Sequence, residues 1–182
     1  MKCSSEDLSL TKETVHRYLS DNYSFNNNRS TVETNEGMDE KQWASFADLG
    51  LFALLLPEKR GGLGMAPTVM AAVMEEFGIA LVKEPFAALS LPVAGVFLAG
   101  ISSLPDTFNE GLLNGSIRVA LAHIDHQDSR CTAHKFGSKL VCKGTKQLVL
   151  GAPLASHTMV TAHLESGGSV LGLLDLSSPG IR

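Results

Sequence analysis

Cysteine is scarce in this sequence: Cys3, Cys131 and Cys142 are an odd number, widely spaced, with no CxxC pair. That pattern excludes a disulfide framework and a thiolate zinc site, and it fits a reducing compartment. Positive charge is thin as well. Fifteen Lys and Arg against nineteen Asp and Glu leave a formal net charge of -4, without the basic field that a nucleic-acid backbone requires. The N-terminus, "MKCSSEDLSL", lacks the apolar core of a secretory signal and is too acidic for a transit peptide, so the expected location is cytoplasmic. One long uncharged stretch occurs, residues 85–104, "PFAALSLPVAGVFLAGISSL". Pro92, Gly95 and Gly100 interrupt it, and its strongest apolar part falls short of the roughly 20 residues a span needs, so it reads as a buried helix.

What is present is a chain that changes period near residue 116. Before that point apolar residues recur at helical spacing. Thr11 is the expected N-cap of a first helix striped by Val15, Tyr18 and Leu19, and "SFNNNRSTVETNEG" after it reads as a loop. Asp39 caps a second helix with Trp43, Phe46 and Ala47 on one face and Gly50 ending it in the left-handed region. Pro67 opens a third, Ser90 is the expected cap of a fourth, and "LPDTFNEGLLNG" makes a short fifth that stops at Gly115. From Ser116 onward "IRVALAHI", "KLVCKG", "KQLVLGA", "TMVTAHLE" and "SVLGLLDLS" read as strands, with "FGSK" and "ESGGS" as turns. No helix-length pattern separates them, so mostly antiparallel pairing is expected. The fold class is therefore α+β: an all-α domain over residues 1–115 and a partial antiparallel β domain over residues 116–182.

Several motifs invite chemistry. "PEKRGGLGM", residues 57–65, sets glycines beside Lys59 and Arg60, but it lacks both GxGxxG spacing and a Walker lysine, and reads as a bend between helices. "HIDHQD", residues 123–128, offers four metal-capable side chains, yet His123 and His126 would face opposite sides of a strand and no HExxH helix accompanies them. His134, His157 and His163 fall at strand starts or exposed alternations. There is no GxSxG elbow, and the adjacent carboxylates Glu75 with Glu76 and Asp39 with Glu40 point apart on helices as solvated faces.

"LGLFALLLPEKRGGLG", "VMEEFGIALVKEPF", "LPDTFNEGLLNGSIRVALA", "GTKQLVLGAPLASHTMV" and "LLDLSSPGIR" together resemble the N-terminal half of a flavin-dependent acyl-CoA dehydrogenase. The resemblance runs from about Leu10 to the last residue. It is greatest to the small, divergent members that serve as one partner of heteromeric enzymes acting on pimeloyl-CoA or steroid side-chain thioesters. It implies a helical domain containing the "PEKRGGLG" bend, a β domain that holds FAD, and a place in fatty acid or steroid catabolism. "ALAHIDHQDSR" stands where the family has "TEPxAGSD", and "KQLVLG" stands where it has "KxWITN". By this correspondence Leu148 replaces a flavin-contacting Trp and Leu150 a hydroxyl residue. Backbone groups of His123, Ile124, Val149 and Leu150 would meet the ring, and Ser129 matches a serine facing flavin or acyl-CoA phosphates.

The chemistry implied is α,β-dehydrogenation of an acyl-CoA thioester, in a homo- or hetero-oligomer of dehydrogenase subunits. The family's catalytic base lies in a C-terminal helical domain beyond Arg182, so no catalytic residue is assigned here. The alternative is a non-catalytic subunit that stabilises an active partner without binding flavin. With a sheet edge and apolar helix faces left uncovered, the isolated chain is expected to be marginally stable or to self-associate.

Overall fold

A computed structural model describes residues 4–23, 37–100, 104–137 and 139–182. The segment read as an Asn- and Ser-rich loop lies almost wholly outside the described residues, as do Cys3 and Ser138. The chain forms two compact units, Met1–Pro85 with Phe97–Ser116, and Phe86–Val96 with Ile117–Arg182.

The first unit is helical. Helix α1 (Ser5–Asn22) starts before the expected Thr11, because Ser4 and Asp7 close a capping box: the Asp7 N–H donates to Ser4 Oγ at 3.0 Å and the Ser4 N–H to Asp7 Oδ2 at 3.0 Å. Helix α2 (Glu40–Asp48) is capped by Asp39, as its sequence implies, and Gly50 follows at φ 71°. Trp43 and Phe46 of α2 are buried, and Phe46 stacks 4.9 Å from Phe77 of α3 (Pro67–Ile79) and 6.4 Å from Tyr18. Helix α3 buries Val69, Val73 and Phe77 and pairs with α1 through Lys12 with Glu75 at 2.8 Å and His16 with Glu76 at 2.8 Å; Glu76 is buried under His16 and Lys12 rather than part of the solvated face its sequence implies.

The glycine cluster is a bend. A Cβ on Gly62 would stand 2.1 Å from Leu56 O, and Gly61 has φ 80°, so only glycine fits this path. Arg60 turns inward and is spent on structure. Its guanidinium pairs with Asp106 at 2.7 Å, donates to Leu104 O at 2.8 Å and Asn109 Oδ1 at 3.1 Å, and lies 5.2 Å over the Phe97 ring. A short helix α5 (Phe108–Leu113) ends before Gly115, whose carbonyl accepts from Trp43 Nε1 at 2.8 Å.

Helix α4 (Phe86–Leu98) belongs to the second unit as far as Val96, and there Phe86, Leu89 and Val93 are buried. Ser90 is not its cap. It lies one turn inside, and its hydroxyl donates back to Phe86 O at 2.6 Å. No described helix is long and apolar enough to cross a membrane.

The sheet holds β1 (Val119–Ala122), β2 (Thr132–Phe136), β3 (Lys139–Lys143), β4 (His157–Leu164) and β5 (Ser169–Asp175). Antiparallel ladders join β2 to β3 and β4 to β5, while β1 and β2 run parallel to successive stretches of β4. The α-then-β order is as expected, but the sheet is mixed. The two tight turns give the antiparallel pairs, and the longer connections let β1 and β2 return alongside β4 in parallel. Two readings change. "KQLVLGA" is not a strand, since Leu148 and Gly151 take φ of 54° and 74° and a 3-10 turn, Ala152–Leu154, follows. "TAHKF", passed over in the sequence because His and Lys interrupt its apolar pattern, is β2. One face of the sheet packs Ala122, Cys131, Ala133, Val160 and Ala162 with Val149, Leu140 and Leu174.

Candidate functional site

Two irregular segments of the second unit cross beside β4, and each follows from local sequence. Residues 123–130 leave β1 as a polar run that tightens into a turn, with the Ser129 N–H donating to His126 O at 3.0 Å. Residues 144–151 leave β3 at Gly144, which passes flat against the first segment. A Cβ there would stand 2.5 Å from Cys131 Cα and 2.8 Å from Arg130 O. Three backbone bonds then lace the segments: His126 N to Thr145 O at 3.0 Å, Gln147 N to Ile124 O at 3.0 Å, and Thr145 N to Ser129 O at 3.4 Å.

This crossing brings both groups of sequence-selected residues together. His123 and Ile124 lie on one segment against Leu148, Val149 and Leu150 on the other, and Ser129 sits at the turn that closes the first. Their exposures alternate. Leu148 and Leu150 are 75% and 73% exposed, whereas Val149 packs into the apolar face of the sheet. Leu148 holds φ 54°, a left-handed conformation that costs a branched residue about 1–2 kcal/mol. Among the described residues, the N–H groups of Ile124, Leu148, Val149 and Leu150 donate to no other group. The site therefore offers an apolar, open platform edged by unengaged backbone donors.

Beneath the crossing lies an ionic clamp that sequence reasoning missed. Lys146 Nζ donates to Asp125 Oδ1 at 2.6 Å, to Thr161 Oγ1 at 3.1 Å and to His123 O at 3.5 Å, and its side chain is only 9% exposed. Asp125 Oδ1 also accepts from the Cys131 N–H at 3.1 Å, and Asp125 Oδ2 lies 3.6 Å from His163 Nε2. The Lys146 ammonium, and secondarily the Cys131 N–H, holds the Asp125 carboxyl below the usual carboxylate range. A signal for Lys146 was present in its place within the "KxWITN"-like run, but its partners lie on β4 and on the other segment. Asp125, weighed in the sequence as one of four potential metal ligands, is this ammonium's counterion.

On the sheet's apolar face a cleft of about 530 Å³ is lined by Ala122, Cys131, Cys142, Val149, Val160 and Leu174 among others. Both cysteines are free, and burial pushes both thiols up.

Helices followed by a mixed sheet give this chain the fold of the N-terminal half of acyl-CoA dehydrogenase structures. A chain of the ChsE4–ChsE5 complex from Mycobacterium tuberculosis matches over 100% of this chain and 50% of its own length, at a TM-score of 0.86 and 21% identity. A Tcur3481–Tcur3483 steroid acyl-CoA dehydrogenase variant matches 96% of this chain and 49% of its own at a TM-score of 0.84 and 24% identity. The family model for the acyl-CoA dehydrogenase N-terminal domain matches residues 5–100, and the chain belongs to that family. It is also 30% identical over 114 residues to the acyl-CoA dehydrogenase IpdE2 of Mycolicibacterium smegmatis, covering 62% of this chain and 37% of the relative. The chain thus spans half or less of the length of the proteins it matches.

Proposed function

We propose that this chain is part of a flavoenzyme that introduces an α,β double bond into acyl-CoA thioesters, with the crossed segments as its flavin-facing surface. The observation that carries this reading is the juxtaposition of Ile124 with residues 148–150 through the Gln147 to Ile124 bond. The donor set suits an isoalloxazine, which needs hydrogen-bond donors at one polar edge and apolar contact on its face. A neighbouring structure, a glutaryl-CoA dehydrogenase from Mycobacterium smegmatis described in complex with FADH2, shares the fold at a TM-score of 0.80. When bound, a flavin supplies the acceptor for the hydride leaving the substrate β-carbon.

The chain's own residues have four tasks in this reading. The free N–H groups of Ile124, Val149 and Leu150 hold the ring's polar edge. The Leu148 and Leu150 side chains cover apolar surface and exclude water. Lys146 keeps the two segments in register by holding His123 O, Asp125 and Thr161 together, and Ser129 stands where phosphate oxygens would be met. Steroid or fatty acid thioesters are the substrate class, a reading supported by the steroid acyl-CoA dehydrogenases among the structures this chain resembles in fold. The likeness to the ChsE4–ChsE5 complex supports a role as one subunit of a heteromeric assembly.

Two features favour a second reading, a structural subunit without flavin. Leu148 lacks the stacking surface of an indole, and Leu150 lacks a hydroxyl. Visible absorption of the chain purified with its partner subunit separates the readings. One flavin per copy of this chain supports the first. An active complex whose only flavin belongs to the partner supports the second and overturns the first.

A further inference from the structure

Two side chains of β4 reach residues 123–130 from one face of the sheet. Thr161 and His163 stand two positions apart, opposite the face that carries Val160 and Ala162 in the apolar cluster. Thr161 ties the start of the segment: its hydroxyl accepts from Lys146 Nζ at 3.1 Å and donates to His123 O at 3.2 Å. His163 ties the end. Its N–H donates to Cys131 O at 2.9 Å, and its ring lies between Arg130, whose Nη2 is 3.1 Å from Nδ1, and Asp125, whose Oδ2 is 3.6 Å from Nε2.

These neighbours decide which nitrogen carries the ring proton. A guanidinium donates and never accepts, so Nδ1 presents its lone pair to Arg130. Ser169 Oγ, 3.3 Å from the same nitrogen, has a hydroxyl to donate as well. The proton therefore sits on Nε2, which faces a carboxylate that accepts and never donates. In the other tautomer an N–H would point at the guanidinium, and the Arg130 bond would be lost together with the attraction to Asp125. Apolar packing does not account for the ring's place, because it lies off the clustered face and its side chain is 35% exposed.

We propose that His163, in its Nε2–H form, is a positioning residue for the flavin-facing segment. It fixes Arg130 and with it the turn that carries Ser129, while Thr161 and Lys146 fix the opposite end at His123. Held at both ends from β4, the segment presents the Ile124 N–H in one direction before any ligand arrives, which lowers the ordering cost of binding. What the segment meets rests on the reading above; how it is held does not.

The test isotopically labels the histidine ring nitrogens of the full chain and reads their NMR shifts at neutral pH, with His163→Asn identifying the His163 signals. A lone-pair Nδ1 and a protonated Nε2 are expected. A neutral ring protonated at Nδ1 overturns the proposal, because it has nothing to accept with from Arg130. Amide exchange gives the second readout. His163→Leu should lower the protection of His126 and Ser129 about tenfold, as loss of a charge-assisted hydrogen bond implies, with the β4–β5 amides unchanged. His163→Asn, which keeps an acceptor near the place of Nδ1, should restore it. Unchanged protection in the Leu variant overturns the proposal, and so does an Asn variant as poor as Leu, since the bulk of the ring would then be what matters. If the Leu variant fails to fold, the ring-nitrogen shifts, which need no substitution in the chain being read, still decide. Both readouts are taken without flavin, so a chain that carries none overturns the preceding reading and leaves this one to them.

Discussion

Leu148 is the residue at which stability and function pull apart. Its positive φ costs about 1–2 kcal/mol relative to a residue without that clash, and its side chain is almost fully in water, so packing does not compensate. Leu148→Gly should therefore raise stability by about 1 kcal/mol in chemical denaturation. If the exposed side chain covers a flavin, the same variant weakens flavin retention, and Leu148→Trp strengthens it, as equilibrium dialysis against FAD would read. Lys146 carries a different prediction. Asp125 titrates below its unfolded value near 4, so its contribution is present above that value and is lost as pH falls through the lower, folded value. Lys146→Met should move the Asp125 carboxyl upward in a carbon-detected NMR titration and flatten the acid limb of stability against pH. A carboxyl unmoved by the substitution would mean that the ammonium does not hold the clamp.

At the scale of elements, the first unit depends on an aromatic seam and on a close backbone passage. Phe46 is fully buried between Tyr18 and Phe77, and Phe46→Ala should cost about 3–5 kcal/mol by leaving a cavity, with amide protection lost across α1, α2 and α3. Gly115 combines φ 74° with ring atoms 2.7 and 2.8 Å from where a Cβ would lie, on Trp43 and Phe52. Gly115→Ala should cost about 1–3 kcal/mol from overpacking, plus the strain of its dihedral, read as a lowered denaturation midpoint. Tyr23 joins the end of α1 to the buried Glu84, its hydroxyl donating to that carboxylate and accepting from the Lys83 N–H at 2.9 Å. Burial first, and the Glu84 hydrogen bond second, push the phenol above its ordinary value. The group contributes stability below its unfolded pKa near 10, and that contribution is lost as pH rises toward the folded value. Tyr23→Phe should flatten the alkaline limb of the stability profile.

At the scale of the whole molecule, helical periodicity was legible because each helix of the first unit had to bury one stripe, which leaves Val15 with Leu19, Trp43 with Phe46, and Val69 with Val73 and Phe77 at the spacing of a turn. Caps were legible where the signal was unopposed, as at Asp39, Gly50 and Pro67. Thr11 and Ser90 misled because a hydroxyl caps a helix only where the chain enters it, and elsewhere bonds back to its own turn. Strand β2 was hidden because its outward positions carry His134 and Phe136, which an edge hairpin tolerates and a buried strand does not. The six candidate site residues were selected by family resemblance, and their adjacency is a product of Gly144's close passage. The place of Lys146 in the "KxWITN"-like run was legible, but its clamp was not, since its partners stand 15 and 21 residues away on other segments.

Alternation, capping and glycine placement act between near neighbours, so the sequence alone determined that helices come first, that strands follow near residue 116, and that "PEKRGGLG" bends. Which strands run parallel, which ammonium meets which carboxylate, and which leucines stand in water depend on residues far apart in the chain. Those contacts form only when the sheet closes, and the tertiary structure decided them.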